Sequence, residues 1–166
     1  MAAMDTAMLF MLALICAPQI DPRTAAALVA VESSGNPHAI GVVGGALVRQ
    51  PRNQAEAIIT AKALQAAGWD FSVGLAQINV RTLQRLDLSL ERALDPCTNL
   101  RAMQTLLGEC LQRAQGISKR EDDQVHLRRA LSCYYSGNFT TGFEHGYVRR
   151  VAFATARALT HHEDNP

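Results

Sequence analysis

A chain of 166 residues with 48% hydrophobic content is long enough to bury one sizeable core and short for two. Sixteen basic against fifteen acidic side chains leave a net charge of +1, which gives no electrostatic footprint for nucleic acid or an anionic membrane. The pairs Arg128-Arg129 and Arg149-Arg150 fit solvated helix faces beside apolar positions.

Ala7 to Ala17 is an apolar run of the length of a secretory h-region, but no Lys or Arg precedes Arg23, and the run is too short to span a bilayer. It is read as a buried first helix, Asp5 to Cys16, with the chain turning at Ala17-Pro18. An export signal then either lies upstream or is supplied by this same run. Asp21 as N-cap and Pro22 as first helical residue open a second helix. Its apolar stretch Ala25 to Val31 carries Glu32 into the last turn before Gly35 and Pro37 stop it. A carboxylate there meets the negative end of the helix dipole, with Leu28 and Val29 one turn behind it, and both effects raise its pKa. A carboxyl group still protonated near neutral pH suits a general acid, and glycosidic cleavage is a reaction that uses one. The plainer alternative is a solvated Glu at a frayed helix end.

Ile40 to Val48, with Gly44-Gly45 at its centre, has the make-up of a short hairpin. Helical patterns follow at Gln54 to Ala67 with Gly68 as stop, Val80 to Leu86, Asp95 to Gln115, Gln124 to Tyr135 and Gly146 to Leu159. The fold class is therefore mainly α: a lysozyme-like helical domain with a short β-hairpin near residues 40–48. A single domain is expected over residues 1–160, followed by a polar tail at 161–166.

Four cysteines, Cys16, Cys97, Cys110 and Cys133, show no CxxC or Cys/His cluster with zinc spacing, so neither a metal nor another cofactor is expected. Cys97 and Cys110 fall on one helix, about 20 Å apart, beyond disulfide reach. Cys16 and Cys133 are the pair to test first, against the alternative of four buried free thiols.

Two further segments can carry chemistry. In Phe71 to Asn79, Gly74 permits close backbone approach, while Gln77 and Asn79 offer uncharged donors and acceptors suited to sugar and acetamido groups; as alternatives, both amides cap the next helix. Ser132 to Asn138 ends a helix in a turn and presents Tyr134 and Tyr135. A tyrosine hydroxyl there is able to orient Glu32, unless the ring is simply core. Phe139 and Phe143 are candidates for one wall of a groove, and Trp69 either stacks on a sugar ring or anchors its loop to the core.

Glu32-Ser33 followed by Asn36-Pro37, then Gly74-Leu75-x-Gln77-Ile78-Asn79, then Tyr134-x-x-Gly137 after a helix, resembles the catalytic domain of the lytic transglycosylases. The nearest likeness is to the small type IV secretion and conjugation members, from about Leu9 to Leu159. Cys16-Ala17-Pro18, Gln50-Pro51-Arg52-Asn53, Gly68 to Gly74 and Asp95 to Leu100 add to it. The resemblance implies a lysozyme-like fold, a peptidoglycan substrate and Glu32 as the catalytic residue, with Ser33 and Tyr134 in support. It also implies glycan binding by Gln77 and Asn79, to which Gly74, Tyr135 and Asn138 are added as substrate-binding candidates. Tyr135 stands where the family's Ala-Tyr-Asn-Ala-Gly motif has Asn, and Cys133 where it has the first Ala.

No acidic residue occurs between Glu32 and Glu56, or within 71–79 and 132–139, so a paired-carboxylate mechanism would need Asp70, Asp87 or Glu91. A single Glu suffices when the substrate's own acetamido and 6-hydroxyl groups do the rest, giving a 1,6-anhydro sugar. The partners expected are peptidoglycan strands and components of a type IV secretion system, in the periplasm or cell envelope, with no nucleic acid and no stable membrane insertion. A hydrolytic muramidase on the same scaffold and a non-catalytic glycan-binding assembly module are the competing readings.

Overall fold

A computed structural model describes residues 3–163, with side chains through residue 157. The first helix, α1 (Thr6–Cys16), is capped by Asp5, whose side chain accepts from the Met8 N–H. It is not buried all round as expected: Leu9, Ala13 and Cys16 face the core, whereas Met8, Met11, Leu14 and Ile15 are exposed. The helix lies at the edge of the domain, so only one stripe finds partners. The second helix, α2 (Pro22–Ser33), begins as the sequence indicates. Asp21 accepts from the N–H groups of Arg23 and Thr24, and Ser34 ends the helix in the left-handed region at φ 52°.

A three-stranded antiparallel sheet interrupts the helices. Strand β1 (Ile40–Val42) pairs with β2 (Phe71–Val73), Ile40 opposite Val73, and β2 pairs with β3 (Ile78–Asn79). The antiparallel ribbon of the expected fold class is present, and its first strand starts at Ile40, but 43–48 does not return as the partner. Phe71 and Val73 bring side chains that are fully buried, whereas Val43 and Val48 are exposed, so pairing with β2 hides far more apolar surface. The Gln50 carboxamide also donates to Ile40 O at 2.9 Å and accepts from Ile40 N–H at 2.8 Å, occupying the edge that a local hairpin would need.

The remaining helices are α3 (Gln54–Ala66), α4 (Val80–Arg85), α5 (Leu90–Ala93), α6 (Pro96–Ile117), α7 (Asp123–Ser136), α8 (Thr141–Glu144) and α9 (Tyr147–Glu163). Those foreseen from periodicity appear within a few residues of their expected bounds. The short α5 and α8, four residues each, do not span enough of a period to show one. Of the expected polar tail, 161–163 continues α9, and 164–166 lies outside the described residues. Helix α6 packs along α7, and α2 packs along both α9 and α1, around a core that includes Leu28, Phe71, Leu100, Met103, Tyr147 and Val151. Among the described residues no helix is long and apolar enough to cross a membrane.

Two disulfides staple the helices, Cys16–Cys97 and Cys110–Cys133. Cys97 and Cys110 do not pair with each other, as their places on one continuous helix require. The expected Cys16–Cys133 pair and the alternative of free thiols are both corrected. Partner choice follows which helices touch: α1 lies on α6, and α6 on α7. The closed loops span sequence separations of 81 and 23 residues, and each crosslink contributes roughly 3–4.5 kcal/mol in the chain-entropy account.

One polar side chain organises the interior. Asn99, only 1% exposed, donates to Val73 O at 3.0 Å and Ala93 O at 2.8 Å, and accepts from the Ala76 N–H at 2.8 Å. It thereby ties α6 to the β2–β3 turn. Gly74 sits in that turn at φ 81°, and a Cβ on it would lie 2.3 Å from Asn99 Nδ2. The close approach that Gly74 permits is taken by a protein side chain.

Candidate active site

Glu32 occupies the last turn of α2, half-buried, where α9 crosses. The Tyr147 hydroxyl, at the start of α9, donates to Glu32 Oε1 at 2.5 Å. Burial pushes the Glu32 carboxyl up to about 7, against opposing effects of the Tyr147 hydrogen bond and the Arg150 charge. The sequence-based direction is therefore correct, and desolvation is its main cause. The same burial, with Glu32 close by, raises the Tyr147 and Tyr134 phenols, so both remain protonated donors across the working pH range.

Tyr134 does not hold Glu32 directly. Its hydroxyl donates to Ala76 O at 2.7 Å, so α7 is fastened to the β2–β3 turn beside the carboxyl. The residue that does hold Glu32, Tyr147, was missed. Its signal was available: a tyrosine opening a helix one turn before the apolar Val151 faces the core with it, and a buried hydroxyl needs a polar partner. Tyr135 stacks on Tyr147, with centroids 4.5 Å apart and planes 20° apart, and shares a hydrogen bond of 3.2 Å with His145 Nδ1. The residue remains 41% exposed.

The other candidates divide. Gln77, at φ 50°, donates from Nε2 to Ala39 O at 3.1 Å and Gly74 O at 3.0 Å, which locks the β2–β3 turn against the segment that follows α2. Asn79 caps α4 through the Arg81 N–H and donates to Asp70 Oδ1 at 2.7 Å. Asp70 also pairs with Arg81 at 3.2 Å, so the nearest sequence candidate for a second carboxylate is engaged elsewhere. Ser33 Oγ returns to Val29 O within its own helix. The Asn138 side chain is used inside its loop, accepting from the Thr140 and Thr141 N–H groups and donating to Thr141 Oγ1, and so shapes the approach to α8. Trp69 and Phe143 are about half exposed, as walls of a groove would be, while Phe139 is partly buried under the Arg113 guanidinium.

Tyr147→Phe is expected to raise the Glu32 titration further, because it removes the hydrogen bond that opposes burial. Carbon-13 NMR of the carboxyl checks this; an unmoved titration would reduce Tyr147 to a packing residue.

The transglycosylase SLT domain family matches residues 11–156 of the chain. The chain is also similar to the "Type IV secretion system protein virB1" of Brucella abortus, 50% identical over 141 residues, covering 82% of this chain and 59% of that protein. It is 42% identical over 146 residues to "Protein virB1" of Agrobacterium fabrum, covering 87% of this chain and 58% of that one. With "Protein virB1" of Rhizobium radiobacter the identity is 38% over 141 residues, 84% of this chain and 57% of that one. The chain thus spans less than two thirds of the length of the curated relatives it matches. No solved structure matches it. The order of its motifs, its mainly α fold and the extent of the family match together show that this chain belongs to the transglycosylase SLT domain family, on the branch that includes the virB1 proteins.

Proposed function

We propose that residues 1–160 form a peptidoglycan lytic transglycosylase domain that cleaves the β-1,4 bond between N-acetylmuramic acid and N-acetylglucosamine and leaves a 1,6-anhydro end. The observation that carries this reading is the state of Glu32: a carboxyl raised to about 7, held by a tyrosine hydroxyl, with Arg150 as the charged side chain that acts on it. Asp70, the nearby sequence candidate for a second acid, is tied to Arg81 and Asn79, which supports a single-Glu reading.

Glu32 donates its proton to the bridging oxygen as the bond from that oxygen to C1 breaks. The substrate's acetamido group stabilises the cationic C1. The Glu32 carboxylate then takes the proton of the muramyl 6-hydroxyl, whose oxygen bonds to C1, and the protonated acid is restored with no water consumed. Closure within one ring is favoured because the nucleophile is already in place. Tyr134 supports the site through the Ala76 carbonyl, and Ser33 through the end of α2. Gln77, Asn79 and Tyr135 contact the glycan, while Gly74 and Asn138 shape the loops that carry such contacts. The names of the relatives support work with a type IV secretion apparatus, for which the domain would open the wall locally in the periplasm or cell envelope.

Mass analysis of the fragments released from purified sacculi tests the reading. Anhydro ends, lighter by one water than hydrolytic ends, are expected. Reducing muramic acid ends would show a muramidase, and no release under conditions where the domain binds glycan would show a non-catalytic module.

A further inference from the structure

No bond-making or bond-breaking step above uses Arg150, yet it meets the site from two sides. Its Nη1 donates to the His145 carbonyl at 3.0 Å, and its guanidinium carbon lies 5.8 Å from the centroid of the Tyr147 ring. Tyr147 and Arg150 are three residues apart on α9, the spacing that places two side chains on one helix face. The ring between them and Glu32 is further fixed by stacking on Tyr135, which is itself hydrogen-bonded to His145. The guanidinium is thus seated by a carbonyl and an aromatic ring, both belonging to the assembly that holds the acid.

Proton donation leaves Glu32 as a carboxylate in a poorly solvated position, where an unpaired charge is costly. We propose that Arg150 is a positioning residue of the cleavage reaction: seated on the His145 carbonyl and against Tyr147, it keeps the Tyr147 hydroxyl on Glu32 and stabilises the carboxylate left when the proton moves to the glycosidic oxygen. This rests on Glu32 being the donor. Among the described residues Tyr147 and Arg150 from α9 act on Glu32, and Glu32 in turn raises the Tyr134 phenol on α7. Helix α1, which also packs on α2, carries no ionisable side chain apart from the disulfide-bonded Cys16. Arg150 acts in the required direction, lowering the carboxyl against the effect of burial. The guanidinium is exposed, so its field is partly screened and falls further with salt.

The test compares Arg150→Gln and Arg150→Lys with Arg149→Gln, which removes the same charge from the adjacent position without the contact on Tyr147. Two quantities are read: the titration of the Glu32 carboxyl by carbon-13 NMR, which needs no turnover, and the pH–rate profile on sacculi. In Arg150→Gln the titration and the falling limb are expected to move up by roughly 0.5 pH unit at low salt, less at high salt. Its plateau kcat is expected to fall about 3–10-fold with KM within about twofold. Arg150→Lys should keep the titration and recover only part of the rate, because an ammonium keeps the charge and loses the planar contact with the ring. Arg149→Gln should match the parent in both readouts. An unmoved titration in Arg150→Gln, or an equal movement in Arg149→Gln, overturns the proposal alone. Should the Gln variant fail to fold, the Lys variant decides, and a full parental rate in it overturns the proposal. A parent rate that ignores the Glu32 titration overturns the donor assignment, and this inference with it.

Discussion

Glu32→Gln is expected to abolish cleavage of sacculi, with a loss of about 10²–10⁴-fold, the usual contribution of a positioned general acid. The amide keeps the shape of the side chain and still accepts from the Tyr147 hydroxyl, but it has no acidic proton to give. Folding should not suffer. The fold raises this carboxyl from 4.5 to about 7, so it favours the protonated form, and parent stability declines as pH rises from the lower value through the higher. A neutral Gln lacks that loss, so the variant should melt no lower than the parent at pH 8. On the proposed mechanism the parent's rate should likewise fall as pH rises through about 7, because that mechanism starts from the protonated acid. Asp70→Asn should leave that limb where it is, since Asp70 is tied to Arg81 and Asn79. Parental turnover in Glu32→Gln, measured as soluble fragments per unit time, would remove Glu32 from the chemistry. A rate still climbing above pH 8 would show that proton donation by this group does not limit turnover.

Asn99→Ala should destabilise the protein by about 3–5 kcal/mol, because it strands two buried carbonyls and one buried N–H and opens a void beneath the β2–β3 turn. The loss should reach the site as well. Ala76 is held through its N–H by Asn99 and through its carbonyl by Tyr134, so releasing one side loosens the turn that carries Gln77. Urea unfolding monitored by circular dichroism gives the first quantity and kcat at a temperature where the variant is folded gives the second. A variant within about 1 kcal/mol of the parent would mean that water or a shifted backbone satisfies these groups.

The site lies across elements whose sequence signals differ in kind. Glu32 was legible because a capped, proline-started helix running into glycine and proline is a local pattern, and its consequence, a carboxyl set against apolar neighbours at a helix end, follows from helix geometry alone. The amides of the β2–β3 turn were recognisable as a motif but not as contacts. Gln77 donates to two carbonyls, one of them 38 residues away, and nothing in its neighbours announces that.

A few consecutive residues are enough to settle helix starts and stops, the mainly α class, the position of Glu32 at a helix end, and the inability of Cys97 to reach Cys110 along one helix. Tertiary structure decided every pairing between distant segments. Three of these pairings correct local expectations: β1 takes β2 and not 43–48, Cys16 takes Cys97 and not Cys133, and Tyr147, 115 residues beyond Glu32, takes the place expected of Tyr134. The reason is common to all three. Periodicity and capping are set by the backbone over one or two turns, whereas a partner is chosen by which apolar faces meet when the core closes, and that choice depends on the packing of the whole chain at once.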